Sequence, residues 1–374
     1  MNLQANLKVT NSFRQRHVDS PDNLAKDCHF QKNPSCFEVF GYPCLSLLAL
    51  LDPKGVSMAN TVDHTARFWA YSNYLTALSR LIEWEHPSQA GLVNCVVASP
   101  GFQKIHRGTS INYESIAQSL RLSWYTELLL CKTASYHELL PYATPWSMVQ
   151  TYYVIYPAIR AYFMALGRDV GKSHEATLTT IGSDLFSCKG RFPHPWCCIY
   201  DRDPANPSFY LANVPKPISV GLSNPLRSPY NGDPWQHYGL FLRTTRERIL
   251  AKRVELWKTK NNRRSIPKAQ RALVLEQLRP TSIFDALYRV RARSNYHDID
   301  SFAFTSIKSF DYTKLQVAMC KIVDNTLTIF ETIIAKALGK NSFSRLVKEF
   351  SFTPLGNNPQ ETYLKRWDII EQLL

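Results

Sequence analysis

Although the chain carries nine cysteines, no two of them stand in a Cys-x-x-Cys pair, and their number is odd. They are scattered at positions 28, 36, 44, 95, 131, 188, 197, 198 and 320. That pattern argues against a zinc ribbon and a disulfide framework, and it fits a reducing compartment. No apolar run reaches the length that crosses a bilayer, and the polar N-terminus has no signal-peptide core. A cytoplasmic protein with no membrane partner is expected. The sequence also lacks a Walker loop, a Gly-rich dinucleotide loop and a metal-ligand cluster, so an ATPase or dehydrogenase finds no support, and neither metal nor cofactor is expected. Acidic residues are scarce beside basic ones, 30 against 44, which leaves a net charge of +14. A surplus of that size favours an anionic partner. What is present is apolar residue, 45% of 374 positions. That suits a packed globular chain of two domains, or of one domain with a large insertion.

Periodicity reads mostly as helix. Ala66 to Trp84 carries Phe68, Trp69, Tyr71, Tyr74, Leu78 and Leu81, an aromatic stripe that belongs to a core. Gly41 to Leu51 is apolar and fits either a buried strand or a short helix, and Asn94 to Ser99 reads as a strand. Ile116, Leu120, Trp124, Leu128 and Cys131 place a helix over 113–140. Pro145 suits the first turn of a second helix over 145–166. Pro157 should kink that helix and Gly167 should end it. Ser173 is a candidate N-cap for a short helix through Ile181. From Phe186 to Pro234, prolines and aromatics point to loops and short strands. Cys197 and Cys198 with His194 are read there as packing residues rather than metal ligands. A long helix over 312–338, capped by Gly339, and a short one over Thr362 to Leu373 complete the set.

Twelve basic residues face three acidic ones between Arg243 and Arg279. This stretch therefore holds most of the chain's positive surplus. It reads as a basic helical hairpin whose loop is Asn261 to Pro267. Such a density suits nucleic-acid backbone. The candidate contacts are Arg243, Arg246, Arg248, Lys252, Arg253, Lys258, Lys260, Arg263, Arg264, Lys268 and Arg271.

The stretch Tyr288 to Phe302 concentrates the remaining chemistry. Thr281 or Ser282 can cap a helix that carries Ile283, Leu287 and Val290 on its apolar side. The same helix holds Arg289, Arg291 and Arg293, then Asn295, Tyr296, His297, Asp298 and Asp300. A guanidinium holds phosphate oxygens in a fixed fork, and an imidazole moves protons near neutral pH. By α-helical spacing Arg293 and His297, four apart, share a face. On spacing alone, a solvated helix face whose arginines are neutralised by Asp298 and Asp300 explains the run equally simply.

With residues 186–280 set aside, four long helices over 113–140, 145–166, 281–300 and 312–338 suit an antiparallel bundle. Tyr152-Tyr153, Tyr156, Ala158 and Arg160 on the second helix lead through Gly167 to Ser173-His174-Glu175. This resembles the second helix and following loop of HEPN domains. The third helix of that family carries an Arg, four to six residues, then His. Arg291 and His297, with five residues between them, fit that pattern. Arg293-Ser294 offers a second choice of arginine. The resemblance covers about half the chain.

It implies a mainly α, HEPN-like four-helix bundle with an inserted loop, short-strand and basic-hairpin segment, and a mixed N-terminal region. The corresponding parts are an accessory region 1–110, a first half-bundle 111–185, an insertion 186–280, a second half-bundle 281–340 and a tail 341–374. It further implies a metal-independent endoribonuclease of a prokaryotic defence or toxin–antitoxin system. The catalytic candidates are Arg291 or Arg293, His297, Asn295 and Tyr296, supported by Ser173, His174, Asp298 and Asp300. The expected partners are RNA, a second copy across the bundle and other proteins of a defence system. The alternative is a HEPN-like component that binds nucleic acid or dimerises without cutting.

Overall fold

Leu140–Ala165 is apolar almost all round, and a helix of that kind has to be surrounded on every side. In the computed structural model this helix, α5, is enclosed over most of its surface from Ser147 onward, with Met148, Tyr152, Ile155, Ile159 and Phe163 all buried, while Tyr142 and Trp146 near its start are exposed. The structure describes residues 58–106, 111–169, 171, 173–187, 190–205, 232–297, 310–352 and 362–374; for 58–65, Tyr296 and His297 it describes the backbone only.

The described helices are α1 (Met58–Glu85), α2 (Gln89–Val97), α3 (Pro100–Gln103), α4 (Tyr113–Thr133), α5, α6 (His174–Ser187), α7 (Pro234–Lys260), α8 (Lys268–Glu276), α9 (Ile283–Ala292), α10 (Tyr312–Leu338), α11 (Lys340–Ser351) and α12 (Thr362–Leu373). A short 3₁₀ turn, His137–Leu139, precedes α5, and one π-helical turn, Arg293–His297, extends α9. The only sheet-like contact among the described residues is the antiparallel bridge between Tyr200 and Thr281. The chain is thus mainly α.

α5 packs against α4, α9 and α10. The four helices read from periodicity therefore meet around one core. They do not close it alone, because α1 lies against both α10 and α7, and α7 lies against α9. Tyr74 of α1 stacks on Phe241 of α7 at 4.8 Å. The first half of α7, within the expected insertion 186–280, is as buried as the bundle helices, with Tyr238, Phe241 and Leu242 at 0% exposure.

Several local expectations change. Asn94 to Ser99 is not a strand: its first residues end α2, which Ser88 caps by accepting from the Gly91 amide. Leu92, Val93 and Val96 face inward on one side, a spacing that a four-residue apolar run is too short to reveal. The second long helix starts earlier than expected, so Pro145 sits inside α5 rather than in its first turn. The tail 341–374 holds a second amphipathic helix, α11, whose Phe343, Leu346, Val347 and Phe350 are buried. In 190–205 there are turns and one bridge rather than strands. The apolar run Gly41 to Leu51 lies outside the described residues.

Candidate functional site

Three elements converge on one imidazole. Tyr152, Tyr153, Tyr156 and Arg160 lie along one edge of α5, as residues spaced by one, four and eight must. α6 follows after the connection from Arg168 to Ser173. Ser173 accepts from the Ala176 amide at 3.1 Å, which starts α6 and makes His174 its first residue. From α9 come Tyr288 and Arg291, three apart on one face. The start of α9 is fixed by a capping box in which the Asp285 carboxylate accepts from both the backbone amide (2.9 Å) and the hydroxyl (3.0 Å) of Ser282.

His174 is enclosed by tyrosines. Its ring centroid lies 4.2 Å from that of Tyr156 and 5.5 Å from that of Tyr288, on which it stacks. Tyr152 Oη and His174 Nδ1 are 2.9 Å apart. Burial pushes the Tyr152 phenol well above its ordinary value, so it stays a neutral hydroxyl, which can donate to Nδ1 or accept from it. Burial, followed by the positive charges of Arg291 and Arg160, holds the His174 imidazole below its ordinary value. A neutral imidazole beside a guanidinium is a proton acceptor with a cation next to it.

Arg291 is 8% exposed. Its Nη2 donates to Tyr153 Oη at 2.5 Å. The guanidinium carbon lies 5.2 Å from the Tyr153 ring centre and 5.9 Å from that of Tyr288, within reach of cation–π attraction. Phenol and ring faces steady a cation without adding an opposite charge. His174, Tyr153, Tyr156 and Tyr288 are only half-buried, so the cluster reaches the surface.

The other residues singled out by spacing separate. Arg293 and Asn295 are half-buried in the π-helical turn, and Ser294 is buried with its hydroxyl 3.4 Å from Met148 Sδ. A π turn closes hydrogen bonds five residues apart rather than four. The same-face relation of Arg293 to His297, read from α-helical spacing, therefore does not apply to this backbone. The side chains of Tyr296 and His297, and all of Asp298 and Asp300, lie outside the described residues. Arg289 is committed elsewhere: it donates to Thr244 and Thr245 of α7 at 2.8 and 3.1 Å.

The basic stretch divides at Leu250. Arg243 and Arg246, expected on a contact surface, are buried at 7% and 1% exposure. Arg243 Nε donates to the Pro204 carbonyl at 2.8 Å. Arg246 donates to the carbonyls of Arg202 (2.7 Å), Arg279 (2.8 Å) and Asp201 (2.9 Å). These two arginines hold the 200–205 segment onto α7 and are unavailable to phosphate. Arg248, Lys252, Arg253, Lys260, Arg263, Arg264 and Lys268 are exposed. Lys258 pairs with Glu255 at 2.8 Å, Lys252 with Glu175 at 3.3 Å and Arg271 with Asp203 at 3.0 Å. The loop between α7 and α8 turns at Asn262, whose φ is 49°, a left-handed conformation that asparagine tolerates.

The tyrosines of α5 stand out in the sequence only as part of a resemblance. Their adjacency to a Ser-His pair is the available signal for a cage. Two further clusters have no such signal. One centres on Arg366, which is fully buried among Glu127, Glu331 and Asp324. The other brings the donor atoms of His194, Cys197 and Cys198, read as packing residues, within 4.8 Å of one another. No helix among the described residues is long and apolar enough to cross a membrane. Comparison of the chain with protein-family models, curated proteins and solved structures returns no match.

Proposed function

We propose that the chain is an RNA-binding protein that cleaves phosphodiesters in the HEPN manner, by attack of the ribose 2′-hydroxyl without a metal ion. The observation that carries this reading is the meeting of Arg291 and His174, from α9 and the start of α6, in one tyrosine-lined cluster. With Nδ1 donating to Tyr152 Oη, a neutral His174 leaves Nε2 free to take the 2′-hydroxyl proton, next to a fixed positive charge. Arg291 would relieve the charge that builds on the phosphoryl oxygens as the 2′-oxygen bonds to phosphorus. The leaving 5′-oxygen needs a proton as its bond to phosphorus breaks. His297, six residues after Arg291 on the continuation of α9, is the group assigned to deliver it. The products are a 2′,3′-cyclic phosphate and a free 5′-hydroxyl. The exposed end of the α7–α8 hairpin, at Arg263, Arg264 and Lys268, would hold the flanking backbone by its charge.

One observation favours a second reading, binding without cutting. Arg291 is nearly buried and gives one of its forks to Tyr153, as a structural arginine does. Incubation of the purified chain with transfer RNA and total RNA, with and without EDTA, separates the two. The cleavage reading expects 2′,3′-cyclic phosphate ends in both conditions and their loss in His297→Ala and His174→Ala. RNA that is retained but uncut by the parent protein would leave only the binding reading.

A further inference from the structure

We propose that His194, Cys197 and Cys198 form a binding site for a thiophilic tetrahedral metal ion of the zinc class. Adjacent cysteines in an extended chain point to opposite sides, which is why the sequence alone speaks against a shared ion. Here the chain is curled rather than extended. The Cys197 amide donates to the Pro193 carbonyl and the Cys198 amide to the Pro195 carbonyl, each at 3.1 Å. These two successive turns bring both sulfurs and the imidazole to one side, with the three donor atoms within 4.8 Å of one another.

The donor set and its spacing fit the ion. Two thiolates and an imidazole select zinc or cuprous copper over magnesium and calcium, which take oxygen ligands. A tetrahedral zinc with sulfur at about 2.3 Å and nitrogen at about 2.0 Å requires donors about 3.5–3.8 Å apart. Side-chain rotation can close the remaining gap without moving the backbone. Three protein ligands leave the fourth position to water or an incoming group.

The backbone is already held where the ion needs it. Trp196, between the histidine and the cysteines, is buried and donates through Nε1 to Thr326 Oγ1 of α10 at 3.0 Å. Tyr238 of α7 donates to the Pro195 carbonyl at 2.9 Å. His86, in the link between α1 and α2, places Nε2 2.7 Å from the His194 carbonyl. Three separate elements therefore fix a six-residue turn, so little ordering remains to be done when the ion binds. His194 and Cys197 are half-buried and Cys198 is buried, which gives the ion an entry side and a dry floor. The ion would lock the 193–198 turn in its curled form, against the neighbours that already hold it.

Cobalt(II) reports directly on this geometry, because a tetrahedral thiolate site gives intense visible bands and a sulfur-to-cobalt charge-transfer band. The reduced, metal-stripped full chain should take up one equivalent of cobalt with both features, and zinc should displace it. Cys197→Ser/Cys198→Ser should remove the charge-transfer band. His194→Ala, which alters a half-buried residue and spares the buried Cys198, should keep the helical circular dichroism and weaken cobalt binding by at least about tenfold. Cys131→Ser/Cys320→Ser, which removes two thiols on α4 and α10, should bind as the parent does. A parent chain with no charge-transfer band overturns the proposal. So does a band that survives loss of both Cys197 and Cys198, or one that disappears with Cys131 and Cys320 instead.

Discussion

Two buried arginines show how differently one side chain is used in this molecule. Arg366 of α12 is met by carboxylates: it grips Glu127 with both terminal nitrogens at 2.5 and 2.8 Å, Glu331 at 2.8 and 3.0 Å, and Asp324 at 2.8 Å. Trp124 donates to Glu331 at 2.8 Å and Gln89 to Asp324 at 2.5 Å, so α2, α4, α10 and α12 are tied at one point. Arg291 of α9 meets a phenol and two ring faces, and its charge is felt by the His174 imidazole. The first setting spends the charge on holding helices together. The second holds the charge against tyrosine hydroxyl and ring faces, and it lies near a half-buried histidine. A buried cation surrounded by acids is a fastener, whereas one oriented by tyrosines can still attract an anion.

The largest expected effect separates the two directly. Arg366→Leu strands Glu127 and Glu331 in the interior, and removal of one partner from a buried ion pair costs about 3–5 kcal/mol. Of the described contacts, Arg291→Leu loses a hydrogen bond to a phenol and cation–π attraction, together about 1–2 kcal/mol. Urea denaturation of both variants checks the pair. Equal losses would break the comparison and make Arg291 a second fastener.

The two halves of α7 repeat the contrast at smaller scale. Arg246→Ala removes the donor from three backbone carbonyls at once and should cost roughly 2–4 kcal/mol. Arg263→Glu with Arg264→Glu should leave stability within about 0.5 kcal/mol. The same double variant should weaken RNA affinity alike for all sequences and lower its salt slope by about 0.7 for each phosphate no longer neutralised. An unchanged salt slope would remove the hairpin from the RNA surface.

The smallest effects are pH slopes of opposite sign. Burial, opposed by Arg366, pushes the Glu127 carboxyl from 4.5 up to about 7. The folded state then binds a proton that the unfolded state releases. This contribution to stability is present in full below pH 4.5 and is lost as pH rises through about 7. His174 is the reverse case, held below its ordinary 6.5. The unfolded state binds its proton first, so its contribution is present above 6.5 and is lost as pH falls through the lowered value. Urea midpoints measured across this range should show a shallower fall with rising pH in Glu127→Gln. His174→Gln should show a shallower fall with declining pH.

The fastener and the cage are not equally legible in the sequence. Helices α1, α4, α5 and α10 announce themselves because apolar residues recur every three or four positions. Tyr152, Tyr153, His174 and Arg291 are all visible in the HEPN resemblance, although what joins Arg291 to His174 is tertiary. The Arg366 cluster leaves no trace, because its Glu127 and Arg366 stand 239 positions apart and single charged residues look alike in a sequence. The burial of Arg243 and Arg246 is hidden for a similar reason: charge density identifies a basic stretch but not which face of its helix is inside. The π-helical turn at Arg293–His297 is beyond reach, since α periodicity assumes the spacing that such a turn breaks. The His194 trio is visible in the sequence but reads as packing, because adjacent cysteines share a side only where the chain curls, and the prolines around it mark a loop without fixing which way its side chains face.

The most direct test of the cage is the titration of His174 itself, followed by the proton resonances of its ring and assigned with His174→Gln. In the free chain the imidazole should titrate below its ordinary value. With a saturating RNA oligonucleotide blocked at the attacking 2′-oxygen, a phosphate beside Arg291 would offset the guanidinium charge, and the His174 value should rise. An Arg291→Leu chain should show a smaller rise. A His174 titration that is identical with and without saturating RNA would contradict the claim that this cluster receives the phosphodiester.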